Sequence, residues 1–165
     1  MRSAGDYVDA AVGTLQGRLP AQIDRFNASH AIQLPHVAAD RYFPGGCGTP
    51  IPDLAKFPAI EISNGDGKLM TFDLEVGEAD VSFPLMAALW FGEPDYNTLT
   101  RMVWGYGACI MGALFIRGLC GPSTIPMDAA WSYKTALDEN NDGGAVQGFR
   151  GVAFAVINVG TIEDW

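Results

Sequence analysis

Apolar positions recur along this chain first with a helical period, then with the two-residue period of strands, and then with a helical period again. From Asp6 to Asn27 they fall at Val8, Ala11, Val12, Leu15, Leu19, Ile23 and Phe26, the spacing of a helix with one buried face. Pro20 lies inside this run, where its ring would meet the carbonyl of Gln16, so a kink or a brief break is expected there. The apolar phase continues from Leu15 through Leu19 to Ile23, so both halves should pack on one surface, and Ser29 and His30 close the segment. The period is then lost between Ala31 and Lys56, which hold Pro35, Pro44, Pro50, Pro52, Gly45, Gly46 and Gly48. Unstructured stretches of this length are uncommon in compact domains unless they serve a purpose. This one reads as an extended contact arm. Its aromatics Tyr42 and Phe43 either form apolar tips or tuck back onto the core.

Strand signals follow. Phe57 to Ser63 alternates if Pro58 stands at its start, where a missing N–H is tolerated. Asn64-Gly65-Asp66-Gly67 is a strong turn signal, and beyond it Met70, Phe72, Leu74 and Val76 alternate with polar residues, so a hairpin is expected. A third strand runs from Val81 to Phe91, apolar on both faces, with Pro84 marking an edge or a bulge near its beginning. Asp95 then offers a helix cap.

From Tyr96 to Arg117 one stripe comprises Leu99, Met102, Val103, Tyr106, Ile110, Ala113 and Leu114, and a second comprises Trp104, Ala108, Met111 and Phe115. A helix with two apolar faces is hard for one domain of this size to cover. Gly105, Gly107 and Gly112 each weaken it by about 1 kcal/mol relative to Ala, a cost that only close packing offsets. The second stripe is therefore expected to meet another element or another subunit. Stop signals from Gly118 to Pro126 precede an alternating strand at Trp131, Tyr133, Thr135 and Leu137. After the acidic loop 138–144, Phe149 to Val159 is apolar on both faces and belongs in the middle of a sheet or under a second layer.

Composition narrows what such a fold does. At 165 residues and 48% hydrophobic content the chain suits a single domain, residues 1–165, with an N-terminal helix (1–30), the connector (31–56) and a sheet carrying the long helix 95–118 (57–165). A formal charge of −9, with only ten Lys and Arg scattered along the chain, argues against a surface that neutralises phosphates. Cys47, Cys109 and Cys120 cannot all pair and match no zinc or redox spacing, which points to a reducing compartment. Asp6 and Asp9 stand where an export signal would need an apolar run. The uncharged stretch from Met102 to Ile116 is shorter than the roughly 18 to 20 residues of a membrane span.

Nothing in the chain is arranged for catalysis. His30 and His36 could be strung with Asp40 and Cys47 into a metal site, yet their spacing matches no standard ligand pattern; no metal and no cofactor is expected. Gly45-Gly46-Cys47-Gly48 lacks the Lys-Ser/Thr of a phosphate cradle and reads as a tight turn. Cys47 has no nucleophile context. Asp73 and Glu75 share a strand face as a glycosidase pair might, but on an exposed face they solubilise. Asp138, Glu139 and Asp142 lack the pattern of a calcium loop.

The order of these elements resembles the tail terminator (tail completion, or head-tail joining) proteins of long-tailed bacteriophages. The resemblance is carried by Leu19-Pro20-Ala21, Phe57-Pro58-Ala59-Ile60-Glu61-Ile62, Glu93-Pro94-Asp95 with Leu99, Arg101 and Tyr106, and Phe149-Arg150-Gly151-Val152-Ala153-Phe154, and covers most of the chain. The long connector and the Gly-rich second helix are departures. The resemblance implies an α/β (α+β) fold, a mixed and mainly antiparallel sheet packed against two long helices, and no enzymatic activity. It implies a hexameric ring in the virion, at the tail-neck junction, assembled in the bacterial host cytoplasm. Its partners would be its own copies, the tail tube protein and a neck or head-completion protein, with genomic DNA passing through the lumen unbound and no membrane. An acidic chain suits such a pore, and a ring needs two different adhesive patches per subunit. Tyr42 and Phe43 on the connector and Trp104, Met111 and Phe115 on the helix are the subunit-interface candidates. The alternatives are another neck or tail component, such as a head-closure or tube subunit, and a small hydrolase using Cys47 with a histidine.

Overall fold

The computed structural model describes residues 4–45, 58–64, 69–73, 78–121, 123–138 and 148–164. The first apolar period forms helix α1 (Ala4–Ser29), which buries Val8, Ala11, Leu15, Leu19 and Ile23, together with Tyr7. The expected break at Pro20 does not occur, since α1 is assigned as one continuous helix. Gln16, whose carbonyl loses its partner to the proline ring, lies on the exposed side, where water can replace the missing N–H.

Beyond α1, the described part of the connector is no free arm. Asn27 Oδ1 accepts from the Leu34 N–H at 2.7 Å while Asn27 Nδ2 donates to the Leu34 carbonyl at 3.0 Å, and Leu34 and Val37 are buried. The Tyr106 hydroxyl donates to the Pro35 carbonyl at 2.8 Å. A short 3-10 turn (Ala39–Arg41) then leads into strand β1 (Tyr42–Pro44). Residues 46–57 lie outside the described residues.

The remaining strands are β2 (Ala59–Asn64), β3 (Leu69–Asp73), β4 (Glu78–Glu93), β5 (Ile125–Asp138) and β6 (Gly148–Asp164), with helix α2 (Tyr96–Leu114) between β4 and β5. The sheet runs β1-β2-β4-β6-β5, with β3 also on β4. Among the described residues β1 and β2 pair parallel and the other strand pairs are antiparallel. Both helices contact the sheet. This is an α+β architecture, a mixed and mainly antiparallel sheet with two long helices, the fold that the resemblance implies.

One expectation fails instructively. β2 and β3 do not form a hairpin: both pair antiparallel with β4, β2 against residues 85–90 and β3 against 78–82. They therefore run in the same direction, end to end, along one edge of β4. From Asn64 to Leu69 the chain advances 69 − 64 = 5 positions while their partners on β4, Leu85 and Ser82, are 85 − 82 = 3 apart. The turn expected at 64–67 falls largely outside the described residues, which omit 65–68. Pro84 faces this interval. A proline has no N–H to give a ladder. The reversal occurs between Asp73 and Glu78, which pair with each other.

On β4 and β6, alternate residues Phe83, Leu85, Leu89 and Phe91, and Ala153, Ala155, Ile157 and Val159, turn into the core. There they meet α1 and α2, with Tyr7 on Phe83 at 4.5 Å and Tyr106 on Phe91 at 4.9 Å between ring centroids. Phe91 lies over Gly151, where an added Cβ would come within 2.5 Å of its ring. β6 occupies the middle of the sheet between β4 and β5, with Ala153, Ala155, Ile157 and Val159 buried on one face and Phe154 and Val156 half-buried on the other.

Candidate interaction surface

α2 begins at Asp95, whose carboxylate accepts from the Thr98 N–H at 2.7 Å. The hydrogen bonds from Thr98 hold that carboxyl below its ordinary value. Two glycines then set how closely neighbours approach. At Gly105 a Cβ would stand 2.7 Å from the Phe26 ring of α1, and at Gly107 a Cβ would stand 2.5 Å from the Trp131 ring of β5. Close packing thus offsets the helix-weakening effect of both, and Trp131 is drawn onto the helix.

The result is an aromatic cluster at the margin of the helix layer. Trp104 meets Trp131 edge-on at 4.9 Å between centroids, and Tyr133 lies 6.0 Å from Trp104 and 6.4 Å from Trp131. Edge-on and tilted arrangements at these distances are favourable for aromatic pairs. Trp104 is 56% exposed and Tyr133 43%. Large aromatics this open, gathered in one place, mark interaction sites more often than isolated exposed ones do.

The cluster borders β5, which ends the strand order. Among the described residues this leaves one edge of a 14-residue strand unpaired, a template for a further strand unless blunted. The start of β5 is blunted by Pro126 and by a bulge: Pro126 pairs with Val159 and Asp128 with Asn158, so Met127 is the extra residue. Met127 lies against Gly160 yet remains 64% exposed. Asp128 beside it accepts from the Asn158 amide at 2.6 Å.

On the other side of Trp104 a groove of about 380 Å³ opens between the C-terminal end of α1 and α2. Its walls are Phe26, His30, Ala31, Ile32, Trp104 and Gly105, with Arg101 also lining it. His30 stacks flat on Phe26 at 3.9 Å, and its Nδ1 lies 2.9 Å from the Phe26 carbonyl. A separate apolar area lies on the sheet face away from the helices, where Met86 is exposed and Trp90 meets Phe154 edge-on at 6.4 Å.

Of the interface candidates expected from sequence, Trp104 and Phe115 are exposed and Met111 is half-buried against the core. Trp104 and Phe115 are eleven positions apart, three helical turns or about 16 Å on one stripe. Tyr42 is corrected as an apolar tip: it is buried on β1 and burial pushes its hydroxyl up to about 12. Phe43 is half-buried, its ring 5.4 Å from the Arg41 guanidinium. β1 and β5 are at opposite ends of the strand order, so the two groups of candidates are not brought together. Sequence reasoning missed Trp131, Tyr133, Met127 and Arg101. The signal for Trp131 was available in Gly107, a glycine in mid-helix that needs a bulky partner.

The residues considered for chemistry do not converge. His36 Nε2 pairs with Asp24 Oδ1 at 3.0 Å, away from the stacked His30. Among the described residues no three His, Cys, Asp or Glu side chains group as metal ligands would. Cys109 is buried and its thiol is pushed up to about 11; Cys120 is buried too. Cys47, Glu75, Glu139 and Asp142 lie outside the described residues, and so do the side chains of Asp73 and Asp138. No helix among the described residues is long and apolar enough to cross a membrane.

Neither a protein-family model nor a curated protein matches the chain. One chain of a solved structure titled "Virion of native gene transfer agent (GTA) particle" is similar over 92% of this chain and 96% of that one, at 12% identity and a TM-score of 0.34. A likeness of that degree carries no argument about function.

Proposed function

We propose that this chain is a virion structural subunit that works by contact and not by turnover: a tail-terminator-type protein whose copies close into a ring at the tail-neck junction. In this reading the ring caps the tail tube, ends its polymerisation and presents its other side to a neck or head-completion protein while genomic DNA passes through the lumen. The observation that carries it is the Trp104–Trp131–Tyr133 cluster, with Trp104 and Tyr133 exposed, beside the open edge of β5. Burial of such aromatics is a dominant favourable term in association, and an open strand edge adds directional main-chain pairing. The reading rests on that surface and on the element order, not on the weak structural likeness.

Light scattering across a concentration series, with negative-stain imaging of the same fractions, tests it. Closed rings with a central hole are expected. Monomers persisting at the highest concentration would end the proposal, and open filaments or tubes would replace it with a tube-subunit role.

A further inference from the structure

The most exposed large apolar side chain among the described residues, Met127 at 64%, is pushed out by the β5 bulge with the Asp128 carboxylate next to it in sequence. The groove beside Trp104 is its chemical complement: apolar walls from Phe26, Ile32 and Trp104, and the guanidinium of Arg101. Arg101 is exposed and forms no ion pair among the described residues, although its charge is the least of the influences that lower Asp95.

We propose that Met127 and Asp128 of one copy seat in the groove of a neighbouring copy, the thioether between Phe26 and Trp104 and the carboxylate on Arg101. This deepens the assembly reading above and rests on it. Charge decides the occupant: with 19 acidic against ten basic residues and a formal charge of −9, two copies repel at long range. Association therefore needs a local place where opposite charges meet, and Arg101 and Asp128 supply it. Methionine suits the aromatic walls because its polarizable sulfur makes favourable contacts with ring edges. The knob and the groove are different patches, as head-to-tail association requires.

The test is a charge swap read by sedimentation of the full chain. Arg101→Asp and Asp128→Arg are each expected to weaken self-association about tenfold or more, or about 1.4 kcal/mol, and the combined variant to recover most of it, the mark of direct coupling. Asp128→Asn, which can still accept from Asn158, should weaken association as well. Raising salt from about 0.05 to about 0.5 M screens the long-range repulsion in both proteins but the Arg101–Asp128 attraction only in the wild type, so the advantage of the wild type over Asp128→Asn should shrink. Wild-type association with Arg101→Asp, or a double variant no better than the weaker single one, overturns the pairing and leaves the assembly reading standing. A wild type that stays monomeric overturns both. Thermal melts show whether each variant remains folded.

Discussion

Two stripes of α2 share one helix and the same kind of side chain, and they end in opposite surroundings. Val103, Tyr106, Ile110 and Ala113 are fully buried, whereas Trp104, Ala108 and Phe115 remain open. Hydrophobicity does not separate them. The first stripe faces the core; of the second, Met111 packs against that core while Trp104 lies at its margin beside Trp131, Tyr133 and the groove. What decides is position relative to the core.

The comparison can be broken or sharpened by substitution. The largest effect is expected for Ile110→Ala on the buried stripe, a loss of about 2–5 kcal/mol measured by urea denaturation; a loss below about 1 would mean that the two stripes are energetically alike. Gly107→Ala comes next. Although alanine favours helix, its Cβ would press into the Trp131 ring, so a net loss of about 1–3 kcal/mol is expected, along with a change in tryptophan fluorescence as the indole moves. Gly13→Ala on α1 is the control. Nothing lies within 4 Å of its Cβ position, so a gain of about 0.5–1 kcal/mol is expected as a rise in thermal midpoint.

Phe115→Ser on the open stripe should leave the stability of the isolated chain within about 0.5 kcal/mol; a larger loss would show that the stripe is held by this chain after all. The last effect is confined to acid. Because the folded-state value of Asp95 is lowered, its contribution is present above the ordinary carboxylate range and is lost as pH falls through the folded value. Asp95→Asn should flatten that part of the stability-pH curve, and an unchanged curve would remove Asp95 as its source.

Much of this arrangement was legible in residues. The run Val8–Phe26 specified α1 and its inward face, Asp95 marked the start of α2, and the two-sided pattern of residues 149–159 placed β6 inside the sheet. The candidate site was half legible. Trp104 and Phe115 stood out because one helix carried more apolar surface than a small domain covers. Tyr42 was ambiguous, since an aromatic in a Pro-rich stretch looks the same whether it projects or folds back. Met127 was invisible because a bulge is a relation between two strands, and its residue carries no distinctive local signal.

Local pattern alone determined the helices, the strand faces and the helix cap, because periodicity and capping depend on residues a few positions apart. Only the tertiary structure decided that β2 and β3 share one edge of β4, that one edge of β5 has no partner among the described residues, and which α2 stripe is covered. Those outcomes depend on pairing between residues far apart in the chain.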